Sequence, residues 1–370
     1  MAEYQISEIR QTDSRALAQF DSLLQKEGIR RDKNLDYIAG LYDEDYHLAA
    51  AGACFGSTLR CMAVDSAFQG EGLLNQLVTH LVDYQYRRGN IRLFLYTKYS
   101  KAAFFESLGF YEIARAGGKA VFMENRRSGF KGYLENLVRE TKEALADLPA
   151  QTQAFQKPGE QLPAGAVVLN ANPFTLGHQY LLKQASSSCG VLHVFVVSED
   201  VSLFPFSVRY RLVKEGCSRL GNVIFHSTGS YLISNATFPS YFLQDEESAI
   251  RSHARLDAEL FSSIADALSI SVRFVGDEPL SHVTGIYNEV LLEESRCQEK
   301  AGKGCRLVIL PRLESEGAPV SASQVRSLIK EGRFQELQSL VPETTLRYLL
   351  SPEAAPVIQA IQSAAQVRHY

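Results

Sequence analysis

A threonine, a glycine and a histidine stand close together near the middle of the chain, at Thr175, Gly177 and His178. The threonine and histidine side chains can each donate a hydrogen bond to an oxygen that gains charge when a phosphate is attacked. A glycine lets the main chain approach a phosphate without a side chain in the way. These residue types suit a phosphate-binding turn. Taken alone, however, such a pair is more often a turn in which the histidine only caps a helix, so a second segment is needed to favour phosphate binding.

The residues on either side of this run predict a strand, a turn and a helix. Residues 167–169 are apolar and include two valines, which is typical of a short buried strand. Pro173 has no amide to donate and ends the strand. Apolar residues then recur at helical spacing from Tyr180 to Ala185. The histidine would therefore stand at a helix N-terminus, where free amides and the helix dipole attract anions.

A serine-rich segment much later in the chain repeats this chemistry. Ser321 or Ser323 is predicted to cap a helix that begins near Gln324, with Arg326 in its first turn. Serine caps are common, so this segment alone would usually be structural. The two segments together resemble the nucleotidylyltransferase superfamily, whose marks are a (His/Thr)-x-Gly-His turn and a serine-rich segment with a basic residue.

That superfamily often carries a lysine just before a following helix, and this chain has Leu-Phe-Pro-Phe at residues 203–206 instead. The corresponding phosphate contact would then fall to Arg209, Arg211 or Lys183. Apolar strands that alternate with helices through this half of the chain predict a doubly wound parallel sheet.

The composition is that of an ordinary globular protein. The chain has 370 residues, a formal charge of −4 and 45% hydrophobic residues, which leaves room for two domains. The near balance of charge gives no electrostatic argument for nucleic-acid binding. Six scattered cysteines indicate reduced thiols. No run predicts a signal peptide or a membrane span, so we expect a cytoplasmic protein that does not bind membranes.

The first 125 residues predict antiparallel strands, a glycine-rich turn into a long helix, and a further strand and helix. This order resembles the GCN5-related acetyltransferase fold, whose (Gln/Arg)-x-x-Gly-x-(Gly/Ala) turn holds the pyrophosphate of coenzyme A. Gln69, Gly70 and Gly72 match that turn, whereas Leu74 stands where a small residue is expected. The domain either transfers acyl groups, or only binds a coenzyme A-like group or has become structural, and we favour binding or docking over catalysis.

The predicted fold class is α/β, with an acetyltransferase-like α+β domain followed by a Rossmann-like, doubly wound nucleotidylyltransferase domain and a helical C-terminal tail. The predicted boundaries are 1–125 for the first domain, 126–163 for a helix and linker, 164–345 for the ATP-binding domain and 346–370 for the tail.

Several segments together resemble the citrate lyase ligase family. They are residues 169–178, 233–242, 274–279, 320–326 and 341–342, together with the acetyltransferase-like domain. The resemblance implies that ATP and acetate give enzyme-bound acetyl-adenylate and pyrophosphate, with Mg²⁺ bound through ATP. The acetyl group then passes to the thiol of the phosphoribosyl-dephospho-coenzyme A arm on the acyl-carrier subunit of citrate lyase, and AMP leaves.

The resemblance also implies roles for individual residues. The catalytic residues would be His178, Thr175 and Arg326. The ATP-binding residues would be Asn170, Asn172, Phe174, Gly177, Lys183, Gly276, Ser321 and Ser323. A pocket for the small polar substrate would include Ser234, Thr237 and Tyr241, and the coenzyme A-like arm would lie at Gln69, Gly70 and Gly72. No residue is predicted to ligate a metal directly.

Two other functions fit the same segments. One is an adenylyltransferase that releases an adenylated cofactor, and the other is a non-catalytic docking protein for citrate lyase. Turnover of ATP with acetate, with and without the carrier thiol, distinguishes the three functions.

Overall fold

The computed structural model describes residues 4–147, 162–199, 201–233, 238–243, 245–277, 282–302, 304–315 and 317–364. They form two compact units. Unit 1 comprises residues 1–130 and 238–259, and unit 2 comprises residues 131–237 and 260–370. None of the described helices is both long and apolar enough to cross a bilayer. All six cysteines are free thiols.

Unit 1 is built on a seven-stranded sheet with the order β1-β2-β3-β4-β5-β7-β6. The strands are β1 (Gln5–Glu8), β2 (Tyr37–Tyr42), β3 (Leu48–Phe55), β4 (Thr58–Val64), β5 (Phe94–Lys98), β6 (Tyr111–Ala116) and β7 (Ala120–Glu124). All neighbours pair antiparallel except β4 and β5, which run parallel. The helices are α1 (Ser14–Lys26), α2 (Leu73–Arg87), α3 (Ala102–Ser107) and the start of α4 (Gly129–Asp147).

The β4 and β5 strands separate after a short contact. Their pairing is limited to Thr58 with Phe94 and Leu59 with Leu95, although β4 continues to Val64. A bulge in β4 lies just beyond this contact, because Ala53 pairs with Arg60 whereas Ala51 pairs with Ala63. Bulges bend a strand and redirect its main-chain groups. The sheet therefore opens into a gap between the C-terminal halves of β4 and β5.

Unit 2 contains a five-stranded parallel sheet with the order β10-β9-β8-β11-β12. Its strands are β8 (Ala164–Leu169), β9 (Val191–Val196), β10 (Val223–Ser227), β11 (Ile270–Gly276) and β12 (Arg306–Leu310); β13 (Glu314–Ser315) and β14 (Ala318–Pro319) form a separate short ribbon. The chain first winds outward from β8 through β9 to β10 and then in the other direction through β11 to β12. Such a reversal places a ligand crevice at the carboxyl ends of the two central strands, here β8 and β11.

The helices of unit 2 connect these strands and follow the last one. They are α5 (Leu176–Ser187), α6 (Phe206–Gly216), α8 (His282–Lys300), α9 (Ala322–Lys330), α10 (Glu343–Leu349) and α11 (Ala355–Ser363), together with most of α4 and the end of α7 (Glu246–Leu268). The apolar side chains of the sheet and of α5, α6, α9 and α10 share one buried core. The predicted fold class, including the helical C-terminal tail, is confirmed.

The division into units falls after residue 130, five residues beyond the predicted end of the first domain, and it differs most at a later segment. Residues 238–259, predicted within the ATP-binding domain, group with unit 1. The Arg30 amide donates to the Tyr241 carbonyl at 2.9 Å, and Phe238 packs edge-on against Tyr96. The buried apolar residues of this segment include Phe238, Tyr241, Phe242 and Ile250. Local sequence patterns do not show which core an apolar segment joins, so this return of the chain could not be predicted.

Candidate active site

The helix α5 begins at the predicted turn, and Thr175 is its N-cap residue. The Thr175 hydroxyl accepts the His178 amide at 3.3 Å, and the Nδ1 atom of His178 accepts the Thr175 amide at 3.1 Å. These reciprocal bonds form a capping box, which satisfies amides that the first turn of a helix leaves open. His178 therefore does cap the helix, as the structural alternative predicted.

The capping bond also fixes the tautomer of His178. A main-chain amide can only donate, so the Nδ1 atom that accepts it carries no proton, and in the neutral ring the proton is on Nε2. The described hydrogen bonds of this ring all involve Nδ1. The same geometry that caps the helix thus leaves an Nε2–H donor at the helix mouth.

The His178 imidazole is held in its neutral form. Burial lowers its pKa to about 4, and the positive charges of Arg312 and Arg326 contribute to the shift in the same direction. Phe174 stacks on the ring, with the ring centroids 5.9 Å apart. At neutral pH the side chain is a fixed hydrogen-bond donor without a net charge.

The two helix starts that the sequence singled out are in contact. An ideal Cβ atom at Gly177 would lie 3.0 Å from the Val320 carbonyl oxygen, so only glycine fits there without displacing this neighbour. The Arg326 guanidinium donates hydrogen bonds to the Asn172 carbonyl and, at 3.1 Å, to the Ser323 hydroxyl. Ser321 caps α9 by accepting the Gln324 amide. The predicted convergence of the two segments is therefore observed.

The Arg326 side chain lies in the interior of unit 2. It is completely buried, and burial lowers its pKa to about 10. With no exposed surface, the guanidinium does not contact a ligand in this conformation. Its geometry is that of a residue that joins the two helix starts and contributes positive charge through the protein.

A second buried arginine, Arg209, holds the strand ends that carry the turn. Its guanidinium donates to the carbonyl oxygens of Asn170 and Val197 at 2.8 Å each, and also to the Glu199 carbonyl. The Phe204 carbonyl accepts its Nε–H. Arg209 therefore ties β8 and β9 together and is not available for the phosphate contact considered above.

The other two candidates for that phosphate contact also lie elsewhere. Arg211 pairs with Glu353 at 2.8 Å on the surface. Lys183 lies five residues after His178 in α5, which is about 7.5 Å further along the helix axis. Its side chain is exposed.

The remaining ATP-binding candidates have different roles in the structure. Phe174 is completely buried in the core of unit 2, so the expectation that it contacts ATP is corrected to a packing role behind His178. Asn172 and Asn170 shape the turn, because the Asn172 side chain accepts the Phe204 amide and the Asn170 side chain bonds to Ser202. Gly276 ends β11 at the reversal of the sheet, and nothing lies within 4 Å of a Cβ placed there.

The sequence did not identify Arg312 as a site residue. It follows β12 and is half-buried, and its charge acts on His178. Its only sequence signal is its position just after a strand of the parallel sheet, where ligands bind. Many residues share that position, so the signal is weak.

The predicted pocket for the small polar substrate is only partly described. Ser234 and Thr237 lie outside the described residues. Tyr241 lies in unit 1, where its hydroxyl donates to the Tyr96 carbonyl at 3.1 Å. Its predicted place in a substrate pocket of unit 2 is therefore wrong.

Unit 1 contains a cavity of about 500 Å³ in the gap between β4 and β5. One end is formed by the glycine-rich turn, where Gly72 is the N-cap of α2 in a left-handed conformation. Its lining residues are Glu27, Ile29, Met62, Ala63, Val64, Phe68, Gln69, Gly70, Gly72, Leu73, Leu74, Asn75, Tyr96, Thr97, Lys98, Lys101, Phe104, Phe105, Tyr241 and Phe242. The three residues predicted to hold the coenzyme A-like arm are thus brought together, and Leu74 lines the same cavity.

Comparison with solved structures gives matches that cover about a third of the chain. The ribosomal-protein-S18-alanine N-acetyltransferase from Escherichia coli is 26% identical and covers 33% of this chain and 92% of its own, with a TM-score of 0.29. Escherichia coli ElaA is 16% identical over 34% of this chain and 100% of its own, with a TM-score of 0.30.

The sequence comparisons cover far more of the chain. Residues 164–349 match the model of the citrate lyase ligase C-terminal domain. The citrate (pro-3S)-lyase ligase of Klebsiella pneumoniae is 40% identical over 314 residues, which is 85% of this chain and 86% of that protein. The enzyme of the same name from Haemophilus influenzae is 34% identical over 342 residues, which is 91% of this chain and 96% of that protein. With this identity across both units, the chain belongs to the citrate lyase ligase family of enzymes.

Proposed function

We propose that the chain is an ATP-dependent, AMP-forming ligase that acetylates the acyl-carrier subunit of citrate lyase. The relatives that carry the name of that ligase align with this chain over most of their length. The main structural support for the chemical step is the contact between the two helix starts of unit 2, which the Arg326 guanidinium makes with the Asn172 carbonyl. This contact holds the N-termini of two helices, with their free amides, next to each other.

The first half-reaction joins acetate to AMP. An acetate oxygen attacks the α-phosphorus of ATP, the bond to the β-phosphate oxygen breaks, and pyrophosphate leaves. Acetate is already ionised at neutral pH, so the step needs no general base. It needs alignment and stabilisation of the charge that builds on the phosphate oxygens.

The residues of unit 2 fit these requirements. The Nε2–H of His178 is the donor for an α-phosphate oxygen, and its neutral ring does not compete for a proton. Arg312 and Arg326 supply positive charge near His178. Mg²⁺ would arrive bound to ATP and would neutralise phosphate charge. Ser321 and Ser323 stand at the start of α9, next to the same turn.

The second half-reaction transfers the acetyl group. The thiol of the carrier arm attacks the acetyl carbonyl, the bond to the phosphate oxygen breaks, and AMP leaves. The thiol proton is released as the thioester forms. The arm is phosphoribosyl-dephospho-coenzyme A, which combines phosphate groups with a long amide-bearing chain.

The cavity of unit 1 is suited to hold such an arm. Lys98 and Lys101 line it, together with the amides of the glycine-rich turn, and these groups favour phosphate. Beyond Leu59 the strand β4 no longer pairs with β5, so main-chain groups that face the gap can bond to amides of the arm. Apolar side chains such as Phe104 and Phe105 line the rest of the cavity.

The cavity lining favours binding over acyl transfer. Glu27 is the one carboxylate among the described lining residues, and no histidine or cysteine lines the cavity there. The Glu27 side chain already accepts the Ser66 amide at 3.0 Å. A general base for an amine acceptor is therefore not positioned in the described lining.

Incubation with ATP, Mg²⁺ and acetate, with and without the thiol-form carrier, tests the proposed function. AMP formation that requires the carrier supports the ligase. A stable, released adenylated product would instead indicate an adenylyltransferase, and no turnover of ATP would indicate a docking protein. Deletion of residues 1–160 is not a clean test of unit 1, because residues 238–259 would lose their packing partners.

A further inference from the structure

The main chain on either side of Arg312 is anchored at the carboxyl edge of the unit 2 sheet. Leu310 ends β12, and its carbonyl accepts the amide of Asp277, which directly follows β11, at 2.9 Å. After Arg312, the Leu313 carbonyl accepts the Val320 amide at 3.0 Å and extends the pairing of β13 with β14 by one residue pair. These bonds hold Arg312 at the end of the sheet where a ligand crevice is expected.

The β13–β14 ribbon also brings Arg312 close to the mouth of α5. Val320, which pairs with the residue after Arg312, packs against Gly177, whose ideal Cβ atom would lie 3.0 Å from the Val320 carbonyl oxygen. The electrostatics agree with this position. Burial is the main cause of the low pKa of His178, and the charge of Arg312 is the next largest cause, ahead of that of Arg326. Since charge effects weaken with distance, the guanidinium lies near the imidazole.

Arg312 differs from the two buried arginines of this region in its exposure. Arg326 and Arg209 are completely buried and bond to main-chain carbonyls, whereas Arg312 is half-buried. A guanidinium has five N–H donors in a planar fork, so one that bonds within the protein can still bind two oxygens of a phosphate. Arg312 therefore combines a fixed main chain, a position near His178 and access to a ligand.

The phosphates of ATP need more than the His178 donor. In the proposed first half-reaction, the Nε2–H of His178 bonds to an α-phosphate oxygen, while the β- and γ-phosphates leave together as pyrophosphate. These two phosphates carry most of the negative charge of ATP, and a guanidinium on a separate segment beside His178 can bind them. Binding their oxygens also stabilises the charge that builds on pyrophosphate as its bond to the α-phosphorus breaks.

We propose that Arg312 binds the β- and γ-phosphates of ATP and thereby makes the unit 2 site select nucleoside triphosphates over AMP. The inference rests on the proposed adenylation of acetate at His178. Before that step, Arg312 adds a contact that only the substrate nucleotide can make. After the acetyl group has passed to the thiol, AMP keeps the α-phosphate contact but lacks the other two phosphates, so it leaves and the next ATP binds.

Equilibrium titration of the full-length protein with AMP and with the Mg²⁺ complex of α,β-methylene-ATP tests the inference, because the α–β bond of this analogue is not cleaved. We expect the wild-type protein to bind the analogue at least about tenfold more tightly than AMP. In Arg312→Ala this preference should fall to about threefold or less, while the Kd for AMP stays within about twofold of the wild-type value. Arg312→Lys keeps the charge but loses the planar fork, so its preference should be intermediate.

Arg306→Ala is the matched control, because Arg306 is exposed at the opposite end of β12, and it should keep the wild-type preference. Circular dichroism shows whether each variant is folded, and the lysine variant keeps the test valid if the alanine variant is not. Equal wild-type affinities, an unchanged preference in folded Arg312→Ala or an equal loss of AMP affinity overturns the inference, as does a preference that is lost only in Lys183→Ala. The titrations contain neither acetate nor carrier, so a failure of carrier-dependent AMP formation is seen separately and counts against the proposed function.

Discussion

The guanidinium of Arg326 donates a hydrogen bond to the main-chain carbonyl of Asn172, 154 residues earlier in the chain. Asn172 begins the turn that leads into α5, and Arg326 stands in the first turns of α9. The bond is buried, where an unpaired charge would be costly, so the two helix starts are held together and not merely adjacent. We take this pairing as the physical basis of the proposed adenylating site.

Gly177→Ala should separate the two helix starts. The new Cβ atom would lie 3.0 Å from the Val320 carbonyl oxygen, so one main chain has to move. We expect the rate of acetate-dependent ATP–pyrophosphate exchange to fall at least tenfold, with a loss of about 1–3 kcal/mol in the free energy of unfolding.

Gly285→Ala is the control for this change. Nothing lies within 4 Å of a Cβ at that position in α8, so the exchange rate should not change. An equal loss of activity in both variants would show that the packing of Gly177 on Val320 is not the cause.

Arg209→Lys should destabilise unit 2. A lysine cannot reach all the main-chain carbonyls that the guanidinium bonds, and each buried group left unpaired costs about 1–3 kcal/mol. We expect the free energy of unfolding in urea to fall by about 3 kcal/mol or more. Arg211→Lys, two residues later in a surface pair with Glu353, should change it by no more than about 0.5 kcal/mol. Similar effects of the two substitutions would argue against the structural role of Arg209.

The pH dependence of the ATP–pyrophosphate exchange rate should show no ionisation of His178 above about pH 5.5. Because burial lowers the folded-state pKa to about 4, from an ordinary value near 6.5, the ring stays neutral in the folded protein through this range. The unfolded chain binds this proton between about pH 6.5 and 4, so His178 lowers stability as the pH falls through that window.

Exchange rates of the wild type and of His178→Gln between pH 5.5 and 8 check this prediction. Their ratio should be constant, because the ionisation of ATP affects both proteins equally. A ratio that changes with an apparent pKa near 6.5 would show that His178 titrates in the active protein.

Lys101→Glu should weaken binding of the carrier arm. The lysine lines the unit 1 cavity, and a carboxylate in its place would repel phosphate. We expect the KM for the thiol-form carrier to rise at least tenfold, while carrier-independent pyrophosphate exchange stays unchanged. Lys131→Glu reverses the charge of a lysine outside this lining, with a side chain 77% exposed, and should leave both quantities unchanged. An unchanged KM in Lys101→Glu would place the arm elsewhere.

Short motifs with strong local rules could be predicted from the sequence. The residues from Leu169 to His178 predict the end of a strand, a turn at the proline and a capped helix start, and the structure has the strand end and the capped helix at these positions. The sequence offers Ser321 and Ser323 as candidates for one helix cap, and Ser321 is the N-cap residue of α9. Convergence of the two segments was predicted because a known family uses both for one ligand, not because the sequence shows the distance.

Relationships that depend on the assembled core could not be predicted. Arg209 and Arg326 look like ordinary helix cations in the sequence, yet both are completely buried and bond to main-chain carbonyls far from their own helices. Phe174 lies within the motif but packs in the core. Tyr241 joins unit 1 through long-range contacts. Burial and distant partners are properties of the folded chain, and residue type alone does not encode them.

The most direct test of the central claim is acetate-dependent ATP–pyrophosphate exchange in a pair of His178 variants. Asparagine keeps an acceptor near the Nδ1 position for the Thr175 amide but has no distal donor, whereas glutamine offers an N–H near the Nε2 position. Loss of one transition-state donor costs about 10²–10³-fold in rate. We predict that loss in folded His178→Asn, a smaller loss in His178→Gln, and none in His47→Ala, whose side chain is 71% exposed in unit 1. Full exchange activity in His178→Asn would contradict an adenylating site at this helix mouth.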